Sequence, residues 1–227
     1  MILYVNGDSH SAAGEATNNC CFANDDLQFQ HLGRKPHPDN LKVSYANLLS
    51  IDLDARLDID AESASSNDRI IRSTQTYLKH QTPDLIIIGW STWEREEWLF
   101  DDNHWQVNAG GIGKDWPVPL QKRYTNWISS IDHQQKEYES HEKIWQLHKE
   151  LIDIPHLFFN SYLRFNLIDQ YNWGDNYISP YNESFTYYYW LANNGYLTVN
   201  SNSYHYGALA HQAWANFLFP YLTKLLK

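Results

Sequence analysis

The sequence predicts a three-layer α/β/α sandwich around a mainly parallel five-stranded sheet, and three observations lead there. Short, continuously apolar runs such as Ile2–Val5 and Asp84–Gly89 have the composition of strands covered on both faces. Stretches of helical periodicity separate these runs, the alternation that builds a parallel sheet through right-handed crossovers. The first run also breaks sharply at Asn6-Gly7-Asp8 into Ser9-His10-Ser11. Such a turn lies at the carboxyl edge of a sheet, where α/β folds gather their ligands.

Taken in order, Ile2–Val5 is the first strand, and residues 17 to 40 are a long loop without a sustained period. Asp39-Asn40 precede a helical pattern through Val43, Ala46, Leu49 and Leu53. Leu57–Ala61 is the second strand. Ser65-Ser66-Asn67-Asp68 supply capping side chains for a helix through Ile70, Ile71, Thr74 and Leu78. Pro83 ends that segment, and DLIIIG makes Asp84–Gly89 the third strand. Residues 90 to 117 form an aromatic, charged and glycine-rich insertion, and helical periodicity runs from about Pro119 to Leu151. His156–Asn160 is the fourth strand, residues 171 to 190 form a second aromatic insertion, and Leu197–Val199 is a fifth strand or an extended lead into the closing segment. Tyr206–Leu226 closes the chain as a helix burying Leu209, Ala213, Trp214, Phe217, Leu218 and Leu222. The simplest closure has the flavodoxin-like order 2-1-3-4-5 in one domain over residues 1–227.

The 227 residues suffice for a full core, and the net charge of −10 argues against a general nucleic-acid surface. No apolar run reaches membrane-spanning length, and no leader precedes the first strand, so a cytoplasmic protein without membrane attachment is expected. Cys20 and Cys21 are adjacent, which disfavours a disulfide framework. No metal-binding motif and no phosphate-cradling glycine loop after a strand is present, so no cofactor is expected.

The chemistry concentrates at the strand-turn-serine unit. Gly7 allows backbone geometry that a Cβ would block, Asp8 can rigidify the turn, and Ser9 is the candidate nucleophile. A serine hydroxyl needs a base to take its proton, and His205, in Asn202-Ser203-Tyr204-His205 ahead of the closing helix, is placed to serve. GDS after the first strand, SNDRIIR at Ser66–Arg72 after the second, and a histidine before the final helix resemble the GDSL/SGNH hydrolase superfamily across nearly the whole chain. The resemblance implies an ester hydrolase with a covalent acyl-enzyme, acting on a carbohydrate or small ester. It assigns Ser9 as nucleophile and His205 as base, with the orienting position falling on Asn202. It implies oxyanion donors at the Ser9 N–H, at Ala64 where the family has glycine, and at Ser91 where the family has asparagine.

Three substitutions depart from the family pattern: Asn202 for an acid, Ala64 for glycine and GWST at Gly89–Thr92 for GxND. Asn202 or a backbone carbonyl could orient His205, an acid elsewhere such as Asp175 or Glu183 could do so, or the site could be impaired. Asp8, His10, Trp90, Trp93 and Arg95 are the candidates for substrate contact. Arg95 could hold an anionic group or sit in a surface ion pair, and Ser91-Thr92 could instead cap a helix starting at Trp93. Trp98, Tyr171, Trp173, Tyr177 and Tyr181 fall on loops expected near the mouth, where flat rings stack on sugars or acyl chains. A carbohydrate-binding protein that keeps the scaffold without catalysis, and an acyltransferase, are the competing functions.

Overall fold

Burial on both faces explains the apolar strands. The computed structural model describes residues 1–22, 35–111, 116–167 and 170–227. Six strands are found among them: β1 (Ile2–Gly7), β2 (Arg56–Ile59), β3 (Leu85–Trp90), β4 (Arg95–Phe100), β5 (Asn103–Asn108) and β6 (His156–Asn160). Four of them pair in parallel in the order β2-β1-β3-β6. Val5 sits between Ile59 and Ile87, and Ile87 in turn faces Leu157. All four carboxyl ends therefore share one rim.

The helices are α1 (Pro38–Lys42), α2 (Tyr45–Asp52), α3 (Asn67–Leu78), α4 (Val118–Ser130), α5 (His133–Glu150), α6 (Tyr187–Asn193) and α7 (Ala208–Leu225). Leu3, Val5, Leu85, Ile87, Leu157 and Phe159 pack against α2, α6 and α7. The alternate residues Tyr4, Ile86, Ile88, Trp90 and Phe158 pack against α3 and α5 on the other face. The result is the expected three-layer sandwich. Among the described residues no helix is long and apolar enough to cross a membrane.

The sheet differs from expectation in two places. Leu197–Val199 is not a fifth strand: that segment makes only an isolated antiparallel bridge between Thr198 and Tyr206. The insertion at 90–117 carries a separate two-stranded sheet, β4 with β5, in place of a helix capped by Ser91-Thr92. Phe100 pairs with Asn103 across Asp101 and Asp102, whose φ angles of 50° and 56° are those of a tight hairpin turn. Trp98, Trp105 and Val107 of the hairpin form a satellite core with Trp116 and Leu120. The Arg72 guanidinium clamps the hairpin to α3 through both oxygens of Glu97, at 2.6 and 2.8 Å.

Local chemistry sets the helix boundaries. The Ser66 hydroxyl caps α3 by accepting from the Arg69 N–H at 3.2 Å. His37 caps α1, so that helix begins at Pro38, ahead of the expected Asp39-Asn40 start. Residues 23–34 of the expected 17–40 loop lie outside the described residues. In α7 the buried side runs through Ala210, Trp214, Leu218 and Leu222, whereas Leu209, expected inside, is exposed.

Candidate active site

The turn after β1 is held by close backbone approach. A Cβ on Gly7 would stand 2.3 Å from Ser11 Oγ and 2.8 Å from the Gly89 carbonyl oxygen, so only glycine fits between β3 and the turn. The Tyr45 hydroxyl donates to Ser11 Oγ at 2.8 Å. The Ala12 N–H bonds the Asp8 carbonyl and the Gly14 N–H bonds the Ser9 carbonyl, coiling residues 8–14 into a helical loop. Asp8, a candidate substrate contact, serves this loop instead. Its Oδ1 accepts from the His10 N–H at 3.0 Å and from Ser161 Oγ at 3.2 Å, and its Oδ2 lies 3.7 Å from Arg95.

His205 meets this loop at the rim. A Cβ on Gly14 would lie 3.4 Å from His205 Nε2, so the imidazole packs against the same loop that carries Ser9. Its Nδ1 is 2.6 Å from Glu15 Oε2. Glu15, and not the expected Asn202, is the residue at His205 Nδ1. Asn202 is exposed, and its N–H bonds Asn200 Oδ1. Its side chain makes no hydrogen bond to His205 among the described residues. The other acids considered also lie elsewhere: Asp175 pairs with Lys224, and Glu183 opens an exposed 3₁₀ turn. Ser203 Oγ donates to Glu15 Oε2 at 2.6 Å and accepts from the His205 N–H at 3.0 Å, fixing both partners. Partial burial pushes the Glu15 carboxyl up, but hydrogen bonds from Ser203 and His205 outweigh it and leave its pKa lowered. A carboxylate on Nδ1 sets the tautomer that leaves Nε2 as a proton acceptor. Glu15 itself sits in the left-handed region with φ 60°, a strained geometry of the kind that clusters at functional sites.

The expected oxyanion donors lie along the neighbouring loops. Neither the Ser9 N–H nor the Ala64 N–H bonds another group among the described residues. Ala64 takes φ 66°, the backbone conformation that glycine adopts without penalty. Ser91 is clamped by Asn67, which accepts from the Ser91 N–H at 2.8 Å and donates to its carbonyl at 3.2 Å. Arg95 Nη1 donates to Ser91 Oγ at 2.9 Å, so the serine hydroxyl keeps its own hydrogen to give and is polarised by a cation. Arg69, buried beneath this loop, ties it down through Asp60, Glu62 and Asn6.

The remaining candidates are interior groups. His10 packs edge-on to His205 and against Tyr187, and burial pulls its pKa down to about 4. Trp90 lies wholly inside β3 against Phe158, and Trp93 stacks on Phe165. Trp98, Trp173 and Tyr177 are likewise buried. Tyr204, the chain neighbour of His205, belongs to a cluster with Tyr162, Tyr188 and Tyr189, whose rings contact one another at 4.8–6.1 Å. Tyr204 is 61% exposed, and its place beside His205 was the signal available in the sequence.

No protein-family profile matches this chain, and no curated protein matches it. Solved structures do share the fold. TesA superposes with a TM-score of 0.50 at 13% identity, covering 99% of each chain. The psychrotrophic esterase EstA from Pseudoalteromonas sp., solved inhibited by monoethylphosphonate, gives 0.50 at 10% identity over 99% of this chain and 98% of its own. The likeness is one of architecture.

Proposed function

We propose that this protein is a serine ester hydrolase working through an acyl-enzyme, with Glu15 rather than Asn202 orienting the base. The observation that carries the reading is the 2.6 Å contact between His205 Nδ1 and Glu15 on the loop that also bears Ser9. Ser9 Oγ attacks the ester carbonyl while its proton passes to His205 Nε2. The carbonyl oxygen becomes an oxyanion, met by the Ser9 and Ala64 N–H groups and the Ser91 hydroxyl. Collapse expels the alcohol, which takes the proton from Nε2. Water then repeats the sequence on the acyl-enzyme and frees the carboxylic acid. An alcohol acceptor in place of water would make the same intermediate an acyltransferase. The Ser9–His205 hydrogen bond is not formed in this structure, and catalytic contacts of this kind often tighten only with substrate. The exposed ring of Tyr204, next to His205 in the chain, suits the flat face of a sugar or acyl group, which supports esters of carbohydrates or small alcohols as substrates.

A fluorophosphonate probe tests the assignment. The expected result is a covalent adduct on Ser9 of the folded protein, absent in Ser9→Ala, together with turnover of p-nitrophenyl acetate. The unformed Ser9–His205 bond favours one other reading, a non-catalytic binder on the same scaffold. That reading gains if folded protein takes no adduct yet binds glycans equally well with or without Ser9.

A further inference from the structure

We propose that Glu15, Cys21 and His205 form a reversible transition-metal site, suited to Zn²⁺, that shuts the enzyme off by occupying its base. One ligand atom from each residue lies within 4.8 Å of the other two. A tetrahedral ion with bonds of about 2.0–2.3 Å spaces its ligands roughly 3.3–3.8 Å apart, so small side-chain rotations close the site. The donors are a thiolate, an imidazole and a carboxylate. That set matches zinc and its neighbours and mismatches Mg²⁺ and Ca²⁺, which take oxygens. Three protein ligands leave a fourth position open to water.

The surrounding contacts hold the three groups together. The Glu15 N–H bonds the Cys20 carbonyl at 3.0 Å, joining the two ends of the loop, and Asn40 Nδ2 donates to that same carbonyl at 2.7 Å. Ser203 fixes both Glu15 and His205. Gly14 lies between the cysteine and the imidazole: a Cβ there would touch Cys21 Sγ and His205 Nε2, each at 3.4 Å. The side chains of Glu15 and His205 are partly exposed, which gives an ion a path in. Ligation uses an imidazole lone pair. Bound through Nε2, the ring has nothing left to receive the Ser9 proton; bound through Nδ1, it loses the hydrogen bond to Glu15. Two ligand anions balance the divalent charge. Binding is independent of the esterase reading, and only its inhibitory consequence rests on that reading.

Co²⁺ titration of the whole chain provides the test. The expected result is one equivalent bound with a sulfur-to-cobalt charge-transfer band, displaced by Zn²⁺, lost in Cys21→Ser and kept in Cys20→Ser. Zn²⁺ should also shield Cys21, and not Cys20, from alkylation of the wild-type protein, a readout that needs no variant to fold. Turnover of p-nitrophenyl acetate by the metal-free protein should fall as Co²⁺ is added, with the same midpoint as the growth of the band. Each variant is compared with its own metal-free rate, and Cys21→Ser should need at least ~10-fold more Zn²⁺, since even outer-shell losses cost that much. Absence of the band at one equivalent, its survival in Cys21→Ser, or equal alkylation of Cys21 with and without Zn²⁺ overturns the site. A sulfur-linked band in a protein that hydrolyses no ester would instead leave the site standing and remove the esterase assignment.

Discussion

Replacing Glu15 by glutamine separates the observed site from the one that the sequence suggested. On the proposed mechanism His205 becomes an imidazolium during attack, 2.6 Å from the Glu15 carboxylate. Opposite charges centred ~4 Å apart at an effective dielectric of 20 attract by about 4 kcal/mol. Solvent reaches both side chains, at 20% and 17% exposure, which screens the pair to about 2–3 kcal/mol. That alone is a loss of roughly 30- to 150-fold in kcat. An amide also favours the wrong imidazole tautomer, and the comparable change in a serine protease costs ~10⁴, so the expected loss lies between those bounds. Asn202→Ala should leave kcat within about twofold, because the exposed Asn202 side chain makes no hydrogen bond to His205 among the described residues. The assay is kcat for p-nitrophenyl acetate, with the fluorophosphonate labelling rate of Ser9 alongside and circular dichroism to verify folding. A Glu15→Gln protein with unimpaired turnover, or a tenfold loss in Asn202→Ala, would refute the assignment of the acid.

Three further outcomes are expected. Burial lowers the pKa of His211 to about 3 and of His156 to about 4. Both are neutral when folded and bind protons more readily when unfolded, so their contribution is present above pH ~6.5 and lost as pH falls, at about 1.4 kcal/mol per pH unit for each. Tm should therefore drop steeply from pH 7 to 5, less so in His211→Phe; a Tm flat over that range contradicts this account. Arg69→Leu removes the buried cation beside Glu62 and should cost about 3–5 kcal/mol in urea unfolding, whereas a loss below about 1 kcal/mol would show that the network around Asp60 and Glu62 is not structural. Ala64→Gly relieves the left-handed backbone at φ 66°, worth about 1–2 kcal/mol. Greater unfolded-chain freedom offsets about 0.4–1 kcal/mol of that gain, so the urea midpoint should hold or rise, and a clear fall argues against strain at this residue.

The sandwich was legible because two-sided burial writes itself as unbroken apolar runs: Ile2–Val5, Asp84–Gly89 and His156–Asn160 each became a strand of the parallel sheet. The hairpin was not recognised because its core is built from tryptophans scattered among charges. Its signal was there in two six-residue segments, REEWLF and NHWQVN, around Asp101-Asp102, a pair that accepts positive φ. The Glu15–His205 contact is illegible for a different reason. Glu15 and His205 lie 190 positions apart, and the family pattern directed attention to position 202. No local periodicity marks a carboxylate whose role depends on a left-handed kink. Aromatic abundance hides placement: of the rings expected at the mouth, Trp90, Trp93, Trp98, Trp173 and Tyr177 are buried and Tyr171 and Tyr181 are half-buried.

Because Ser9 and Glu15 share one short loop, their mutual geometry is fixed by local backbone bonds, whereas His205 joins them only when the segment ahead of α7 settles against that loop. During synthesis the first two groups emerge nearly two hundred residues before the third. On the proposed mechanism a chain interrupted anywhere in between would carry the nucleophile without its base, and turnover would begin only once the segment around residue 205 had emerged.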